Sequence, residues 1–493
     1  MKRRFRDCRL EAKLLGEQKP RFARREALKT LGAISLGAFL PAPSSGEAGH
    51  RLVAGRRQEA RLELIPPSLV TDKIVLEIRG AVENNSDADR DYKVSTYLDN
   101  ESPASLVYST KVSVPAHRSR GIYYRHPTAG WAGHHRLILF AASGAEQVRA
   151  EREIEVLKSD YRSTDTIGGA WVDLLHWSEA EARYCNAALR KLTCDDWRQQ
   201  IRGMHSIGMD IVVIQEVFRN QAYYGTNTIA TTGYRGEAFY RSALFPGRVQ
   251  IACHDPLEAI LSEADRLHMS VFPGVGMYAW FDYSAPSLEW HKKVATELWH
   301  RYGHHPSFYG WYISEEVGGS LISSQGDKAK ERYRQEIITF FAEFQSFCRR
   351  FAPEKPVMLA PNTFGLRESQ EVWPDVLKHV DIICPFAFGR MPKGDLSAQQ
   401  AAHIWQMMCY ETGTHLWMDM EAFVFQGKAL VPGPIEGIVQ SLHRFRNFEK
   451  IICYEYSGIF NSPESTLKPG GSPTVELYRE YQRYLQRRGL GIQ

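Results

Sequence analysis

The stretch CDDWRQQIRGMHSIGMDIVVIQEV (194–217) holds one repeating unit of the predicted fold. Asp195 and Asp196 place two carboxylates in the first turn of a predicted helix, where they complement the helix dipole, and Gly208 closes that helix. The apolar run after the glycine predicts a buried strand over residues 210–217. A helix, a glycine and a buried strand in this order indicate an α/β fold with a parallel sheet.

The same unit recurs through residues 165–490. Strands are predicted at 169–175, 210–217, 270–278, 308–317, 356–361, 381–388, 415–423 and 450–456. Helices are predicted at 195–207, 255–268, 288–301, 328–350, 371–379, 398–412, 434–448 and 474–487. This alternation predicts an α/β protein with a (β/α)8 TIM barrel as its catalytic domain. A doubly wound open sheet is the alternative, but the first strand–helix turn lacks the GxGxxG phosphate fingerprint.

Residues 58–158, ahead of the barrel, have a different pattern. Short runs such as 73–80 and 106–114 alternate apolar and polar side chains, and turn residues such as Asp99-Asn100 separate them. About seven short strands in about a hundred residues predict a small immunoglobulin-like β-sandwich. Nothing in this domain suggests catalysis, so we expect a spacer or a lid packed against the barrel, with carbohydrate binding as the alternative.

Residues 1–48 are predicted to be an export signal and linker. Arg24-Arg25 precedes the uncharged run 30–40, and this order resembles a twin-arginine signal. The run has about 11 residues, whereas a membrane-spanning helix needs about 20. We therefore expect no membrane span, export by the twin-arginine machinery, and a periplasmic or secreted protein. A short surface helix is the alternative interpretation of this segment.

The charge balance argues against nucleic acid as a partner. The formal net charge is +4, but residues 1–48 hold 11 Lys and Arg against 5 Asp and Glu. The rest of the chain has 50 basic and 52 acidic residues, a balance of −2. Such a chain lacks the basic field that neutralises phosphates.

The cysteines do not form a recognisable disulfide framework, and no Cys or Cys/His set has the spacing of a zinc site. Cys185 and Cys194 could form a bridge, which the sequence leaves open. Four others fall in apolar strand-like or helical stretches and are expected to pack in the core: Cys348, Cys384, Cys409 and Cys453. We predict no metal site and no cofactor.

The active site of such a barrel lies at the C-terminal ends of its strands, here called the mouth. The candidate site residues at the predicted strand ends are Asp173, His176, Glu216, Tyr278, Trp280, Trp311, Glu315, Glu316, Asn362, Trp417, Asp419, Glu421, Glu455 and Tyr456. This mixture of carboxyl groups and aromatic rings suits glycoside hydrolysis, because one carboxylic acid protonates the leaving oxygen and a second carboxylate acts as nucleophile or base. The expected substrate is an oligosaccharide, a polysaccharide or another glycoside.

The acid on strand four is ambiguous from the pattern alone. Glu315 and Glu316 are adjacent on a strand, so their side chains point to opposite faces and only one can address the mouth directly. Acids on strands four and seven lie on opposite sides of the mouth, a span that can straddle one glycosidic bond.

A family resemblance narrows this choice. The stretches FYGWYISEEV (308–317) and LWMDMEAF (416–423) resemble a bacterial family of glycoside hydrolase-like proteins, catalogued as a domain of unknown function and similar to the clan of retaining (β/α)8 glycosidases. The family pattern Gly-Trp-Tyr-aliphatic, two variable residues, then Glu maps onto Glu316, and the pattern Trp then Glu-x-Phe maps onto Glu421. The resemblance implies that Glu316 is the acid/base and Glu421 the nucleophile of a retaining enzyme. On strand six the family often has an acidic residue, where this chain has FAF (386–388).

The other candidates have supporting roles in this hypothesis. Glu216 and Glu455 are expected to orient the catalytic pair or to bind a sugar hydroxyl. Asp173 and His176 could be general-base partners, although a histidine at such a strand end is more often a wall of the pocket. Asn362 is a candidate hydroxyl ligand. The strand-end tryptophans are either sugar platforms or core residues: Trp171, Trp280, Trp311 and Trp417.

Other functions remain open at this stage. A glutamate of the pair could instead form a structural ion pair with one of three rim arginines: Arg219, Arg241 or Arg390. A metal-dependent hydrolase would need a His-x-His on strand one and further histidines on strands five and six, but strand one has only His176 and strands five and six have none. A non-catalytic carbohydrate-binding or cell-surface protein, or a sugar lyase or isomerase on the same barrel, would fit the same residues.

Overall fold

The computed structural model describes residues 59–220, 236–245, 247–276, 281–322 and 329–490. The predicted export signal, Tyr278 and Trp280 lie outside the described residues. All described residues belong to one unit of the chain, which begins at Gly55.

The N-terminal part is a β-sandwich. Its strands are β1 (Ala60–Ile65), β2 (Val70–Thr71), β3 (Val75–Asn84), β4 (Arg90–Leu98), β5 (Leu106–Val114), β6 (Arg118–Pro127), β7 (Gly133–Ser143) and β8 (Glu146–Leu157). One sheet has the order β1-β3-β6 and the other the order β2-β8-β7-β4-β5. Leu62 and Ile78 from the first sheet and Val94 and Leu139 from the second are buried in a common core, which holds the two sheets together.

The larger part contains a parallel sheet that is nearly closed into a barrel. Its strands are β9 (Gly169–Val172), β10 (Ile211–Ile214), β14 (Ser270–Pro273), β15 (Trp311–Ile313), β16 (Val357–Leu359), β17 (Ile382–Ile383), β18 (His415–Glu421) and β21 (Lys450–Tyr454). Each strand pairs in parallel with its neighbours along the chain, and β21 returns to pair with β9. Isolated bridges from Val271 to Phe308 and from Gly274 to Tyr312 join β14 to β15.

Smaller strands lie outside this sheet, and helices follow the barrel strands. The smaller strands are β11 (Phe218–Asn220), β12 (Gly236–Ala238), β13 (Gly247–Arg248), β19 (Phe423–Gln426) and β20 (Ala429–Pro432). The helices are α1 (Asn186–Leu189), α2 (Cys194–His205), α3 (Pro256–Arg266), α4 (Ala285–Tyr302), α5 (Lys330–Cys348), α6 (Trp373–Leu377), α7 (Ala398–Thr412), α8 (Ile435–Arg444) and α9 (Ser472–Arg487). Among the described helices, none has both the length and the apolar character needed to cross a membrane.

Local capping explains where the first long helix begins and ends. The Thr193 hydroxyl accepts the backbone N–H of Asp196, and the Asp196 carboxylate accepts the backbone N–H of Thr193, so the two residues form a capping box. Helix α2 therefore begins one residue before the predicted start. It ends at His205, and Gly208, with φ of 72°, then turns the chain towards β10.

The sandwich closes one end of the barrel. Ile65, the last residue of β1, is buried among the side chains inside the barrel, which include Ile211, Phe272 and Ile382. The Tyr309 hydroxyl donates a hydrogen bond of 2.6 Å to the Leu64 carbonyl. These contacts lie at the N-terminal ends of the barrel strands, here called the floor. The sandwich therefore packs against the barrel at the end opposite the mouth and does not cover the candidate site.

Buried ion pairs join the sandwich to the floor. We call this set the floor network: Arg61, Glu63, Glu77, Arg79, Glu354, Lys355, Asp381 and His415. Arg79 lies between the two domains, with Nε 2.5 Å from Glu77 Oε1 and Nη2 2.6 Å from Asp381 Oδ1. Burial alone would raise the pKa of both carboxyl groups, but the adjacent cations, Arg79 foremost, hold the pKa of Glu77 and of Asp381 below their ordinary values.

One disulfide is present in the described part of the chain, between Cys194 and Cys253. Cys185, which the sequence left as a possible partner of Cys194, is a buried free thiol. Cys194 opens α2 and Cys253 lies just ahead of α3, so neighbouring helix starts bring the two sulfurs together although 59 residues separate them in sequence. The other cysteines predicted to be core residues are buried and free: Cys348, Cys384, Cys409 and Cys453.

Candidate active site

Glu421 and Arg390 form an ion pair at the mouth. Glu421 is the last residue of β18, and Arg390 ends a short 3-10 turn that follows β17, after Ala387 with φ of 69°. Arg390 Nε donates to Glu421 Oε1 at 2.8 Å, and Nη2 donates to the same oxygen. The ion pair considered from the sequence is thus present for Glu421. Both donors converge on Oε1, so the guanidinium group does not bind Oε2.

Glu316 also lies at the mouth, in the electrostatic field of the same arginine. The Phe364 backbone N–H donates to Asn362 Oδ1, and Asn362 Nδ2 donates to Glu316 Oε1 at 3.2 Å. Burial, reinforced by repulsion from Glu181 and Glu421, raises the pKa of Glu316 to about 7, although Asn362 and Arg390 act in the opposite direction. A carboxyl group with this pKa still carries its proton near neutral pH, as a general acid requires.

Glu315 points away from the mouth. It is buried, and its backbone carbonyl accepts a 2.7 Å hydrogen bond from the Tyr283 hydroxyl. After burial, the charge of Glu315 raises the pKa of Tyr283 and of Tyr333 more than the charge of Glu316 does, and both tyrosines pack in the core between the sheet and the helices. Of the two adjacent acids on strand four, Glu316 is therefore the one that addresses the mouth.

Asp173 and Glu455 form a second carboxyl pair, at the ends of β9 and β21. Both are buried, and the Tyr454 hydroxyl donates to Asp173 Oδ2 at 2.7 Å. Burial raises the pKa of both carboxyl groups, and the charge of Asp173 raises that of Glu455 further. A shared proton between the two groups is the expected state at neutral pH.

Glu216 forms an ion pair with Arg219, three residues later in the chain. Arg219 Nε lies against Glu216 Oε1, and both side chains are buried. Burial nevertheless raises the pKa of Glu216 to about 7, because the Arg219 charge offsets only part of the desolvation. Both side chains form part of the wall of the mouth.

His176 is a buried, neutral histidine. Its Nδ1 lies 3.0 Å from the Ser178 backbone nitrogen and 3.2 Å from the Ser178 carbonyl oxygen, and its Nε2 faces Glu181 Oε2 at 3.6 Å. Burial lowers the pKa of His176 to about 3. This histidine is therefore a buried wall of the pocket beside Glu181.

Glu181 was missed in the sequence. It lies on the segment between β9 and α1, and its side chain is 29% exposed. Burial and repulsion from Asp173 outweigh the attraction of Arg390 and raise the pKa of Glu181 to about 6. Its charge also influences Glu316 and Glu455, so it stands between the two carboxyl pairs. The only signal in the sequence is its place in a loop after the first strand, on the active face.

The four aromatic candidates among the described residues do not line the mouth. Trp171 and Trp417 are buried inside the barrel, where the Trp171 ring lies 5.7 Å from that of Tyr312 and the Trp417 ring 6.0 Å from that of Phe272. Two others pack in the core between the sheet and the helices: Trp311 against Trp299 and Phe308, and Tyr456 against Phe460. Strand alternation explains the outward direction of Trp311. These four residues offer no face to a sugar in this structure.

Asp419 lies two residues before Glu421 on β18 and is buried below it. Burial raises the pKa of Asp419 well above its ordinary value, and the charge of Glu421 raises it further. Within the described ranges, no cluster of His, Cys, Asp and Glu side chains has the arrangement of a metal site. The mouth is thus a set of carboxyl groups around Arg390 and Arg219.

Residues 167–467 match the family model described as "Domain of unknown function (DUF4434)". The chain belongs to this family. The match covers more than half of the chain; it includes all the barrel strands and excludes the sandwich. No curated protein matches the sequence.

Several solved structures are similar at low sequence identity. A "putative alpha-L-fucosidase" from Bacteroides thetaiotaomicron is 18% identical, with 65% of this chain and 93% of that chain covered and a TM-score of 0.49. Bacteroides uniformis β-glucuronidase 2 is 11% identical, with 86% and 50% covered and a TM-score of 0.41. A GH2 β-galacturonidase from Eisenbergiella tayi is 11% identical, with 87% and 71% covered and a TM-score of 0.38. The chain thus spans about half the length of the Bacteroides uniformis protein.

Proposed function

We propose that the protein is a glycoside hydrolase that cleaves its substrate between Glu316, as acid/base, and Glu421, as nucleophile. One observation carries this proposal: Glu421 forms an ion pair with Arg390, while Glu316, in the field of the same arginine, has a pKa raised to about 7. A carboxyl group that can donate a proton and a second carboxyl group held by an arginine, at one mouth, are what glycosidic bond cleavage requires. The family resemblance assigns the two roles.

In the first step, the Glu316 proton moves to the glycosidic oxygen as the bond from that oxygen to the anomeric carbon breaks. Glu421 Oε2 forms a bond to the anomeric carbon, while Arg390 holds Oε1 and fixes the plane of the carboxylate. In the second step, the Glu316 carboxylate takes a proton from water. The water oxygen bonds to the anomeric carbon, and the bond to Glu421 breaks with net retention of configuration.

We further infer the finer fold and the location. The neighbour-to-neighbour strand order supports a (β/α)8 barrel, and the two sheet orders of the sandwich support an immunoglobulin-like domain. The Cys194–Cys253 disulfide supports an oxidising compartment, in agreement with twin-arginine-type export to the periplasm or to the outside of the cell. Fractionation of cells that express the chain with and without Arg24→Lys/Arg25→Lys tests the export route.

The test of the activity is a screen of the mature protein against aryl glycosides and plant or bacterial polysaccharides. For the substrate found, Glu421→Gln should lower kcat at least about 1,000-fold, because the covalent step is lost. Glu316→Gln should lower kcat about 100- to 10,000-fold for poor leaving groups and much less for good ones. Glu315→Gln is the matched control, since this adjacent acid faces the helices, and it should stay close to wild type.

Other outcomes separate the alternative functions. No product formed by wild type, with sugar binding retained in wild type, Glu316→Gln and Glu421→Gln, would favour a non-catalytic carbohydrate-binding protein. Equal mild losses of kcat in the two variants would contradict the assignment of the catalytic pair. The mass of the product distinguishes hydrolysis, which adds water, from a lyase or an isomerase, which does not. The anomeric configuration of the first product, read by NMR, tests retention.

A further inference from the structure

A hairpin of β19 and β20 extends from the mouth directly after Glu421. Ala422 separates Glu421 from β19, and Gly433, just after β20, donates its N–H to the Ala422 carbonyl at 2.8 Å. The strands pair from Phe423–Pro432 to Gln426–Ala429, and Gly427, with φ of 65°, begins the two-residue turn. The hairpin therefore has a short, closed base at the candidate nucleophile.

Two contacts hold the hairpin against the rest of the mouth. The Leu430 backbone N–H donates to the Glu181 carbonyl at 2.9 Å, which ties β20 to the segment that follows β9. The Phe423 ring packs edge-on against that of Tyr454, with the ring centres 6.1 Å apart. The position of the hairpin is thus fixed relative to both carboxyl pairs.

The hairpin presents an exposed aromatic ring to the mouth. Side chains alternate along β19, so Phe423 and Phe425 share one face, with ring centres 5.5 Å apart, and Val424 points the other way. Phe425 is 43% exposed and Val424 is 44% exposed. The strand face that carries Phe425 is turned towards the candidate active site, because the Arg390 guanidinium carbon lies 5.7 Å from the centre of the Phe425 ring.

Arg390 connects this ring to the candidate nucleophile. The same guanidinium group that binds Glu421 Oε1 also lies 5.8 Å from the ring centre of Phe364, so it stands between two aromatic rings. The Arg390 guanidinium group contacts both Glu421 and the Phe425 ring, so the ring lies about one guanidinium group away from the candidate nucleophile. The Phe425 ring is therefore placed for the next unit of a longer substrate.

We propose that Phe425 is a binding platform for a second sugar ring, adjacent to the ring whose bond is cleaved, and that the substrate is an oligosaccharide or a polysaccharide. The apolar C–H face of a pyranose fits an exposed aromatic ring, and the neighbouring guanidinium N–H groups suit its hydroxyl groups. This inference rests on the proposed function for the position of the cleaved bond. The binding of the second ring itself can be measured without turnover.

The experiment measures binding to the mature protein carrying Glu421→Gln. Cellopentaose, xylopentaose, mannopentaose and chitopentaose are titrated by calorimetry, and the bound oligosaccharide is identified by saturation-transfer NMR. On this background Phe425→Ala should weaken the affinity about tenfold or more, as expected for an exposed aromatic anchor. Phe425→Leu, which keeps an apolar side chain on the hairpin, should weaken it as well. Val424→Ala, equally exposed on the opposite face, is the matched control and should stay within about twofold.

The outcomes keep the two proposals apart. Oligosaccharide binding that depends on Phe425, with no hydrolysis by wild type, would support the platform and overturn the proposed hydrolase function. Hydrolysis with the same kcat/KM for oligosaccharides in wild type and Phe425→Ala would overturn the platform and leave the hydrolase. The platform would also be overturned if Val424→Ala and Phe425→Ala lost the same amount of oligosaccharide affinity, or if no pentasaccharide bound. A protein that is a dimer in wild type and dissociates in Phe425→Ala would overturn it as well.

Discussion

The floor and the mouth of the barrel both bury carboxyl groups, but with opposite effects on their protonation. At the floor, Glu77 and Asp381 have pKa values held low, because Arg79 lies between them and further cations adjoin each. At the mouth, Glu316 and Glu181 share Arg390 with Glu421, and their pKa values are raised to about 7 and about 6. Burial is common to both ends, so the local ratio of cations to carboxyl groups decides the protonation state.

This difference distinguishes a structural ion-pair network from a site whose carboxyl groups can take part in proton transfer. A network in which cations match carboxylates joins two domains and has no proton to give at neutral pH. A site with fewer cations than carboxyl groups lowers the free energy of unfolding at neutral pH. Its carboxyl groups, however, keep protons that a reaction can use. The two ends should therefore respond in opposite ways to mutation and to pH.

The largest effect is expected when the floor loses its central cation. Arg79→Met would leave Glu77 and Asp381 buried with less compensation, and the free energy of unfolding should fall by about 3–5 kcal/mol. Urea unfolding measures this change. Arg198→Met, which breaks an exposed pair with Asp195, is the control and should cost less than about 1 kcal/mol. A lower kcat for the folded fraction of Arg79→Met would show that the floor is not purely structural.

On the mouth side of the barrel a disulfide links two helices, whereas at the floor ion pairs link the two domains. The Cys194–Cys253 bridge joins the starts of α2 and α3 across 59 residues. Cys194→Ser/Cys253→Ser should lower the free energy of unfolding by about 2–4 kcal/mol, because the unfolded chain gains freedom. A reducing agent should destabilise wild type and leave this double variant unchanged. An equal response of both proteins would contradict the pairing.

A smaller effect concerns pH at the mouth. Glu316 has a folded-state pKa of about 7 against 4.5 in a free side chain, so its contribution to stability is fully present below about 4.5 and is lost as the pH rises through about 7. The stability of wild type relative to Glu316→Gln should therefore fall by about 2–3 kcal/mol between pH 4.5 and 8. Glu436→Gln, on the exposed side of α8, should give no such slope. In wild type, kcat/KM should decline over the same upper range as Glu316 loses its proton.

The smallest effect is expected at His415 in the floor. Burial would lower its pKa, but Glu449 at 2.7 Å and Glu77 at 3.4 Å raise it above the ordinary value. Its contribution to stability is present below pH 6.5 and is lost as the pH rises through the raised pKa. His415→Gln should therefore remove part of the alkaline loss of stability, measured as the melting temperature from pH 6 to pH 10. An unchanged alkaline slope would contradict the charged state of His415.

Periodicity was sufficient to predict most of the large domain. Every barrel strand falls inside a predicted segment, and α7 has the predicted bounds, because Ser397 and Gln400 form a capping box and Gly413, with φ of 77°, ends the helix. The strands are shorter than predicted, since residues beyond each paired segment turn into the loops of the mouth. Trp311 and Trp417, which the sequence left open as sugar platforms or core residues, are core residues, because they lie within paired strands, where side chains enter one core or the other.

The site was only partly predictable. Strand alternation showed that Glu315 and Glu316 diverge, but the family pattern, and not periodicity, selected Glu316. Arg390 was considered only as a rim partner and Glu181 was missed, because both lie on loops whose paths depend on tertiary contacts. The Cys194–Cys253 bridge was missed for a similar reason, since it depends on the adjacency of two helix starts in space.

The isoleucine at the end of β1 has a consequence for how molecules reach the carboxyl groups. Buried side chains such as Trp171, Phe272 and Trp417 fill the barrel, and Ile65 and the Leu64 carbonyl close its underside, so the mouth is the open end. A substrate that enters past the hairpin must leave as product through the same opening. Product release and binding of the next substrate therefore compete for that opening. A polymer can lie across that opening or insert an end, but it cannot thread along the barrel axis from one side of the domain to the other.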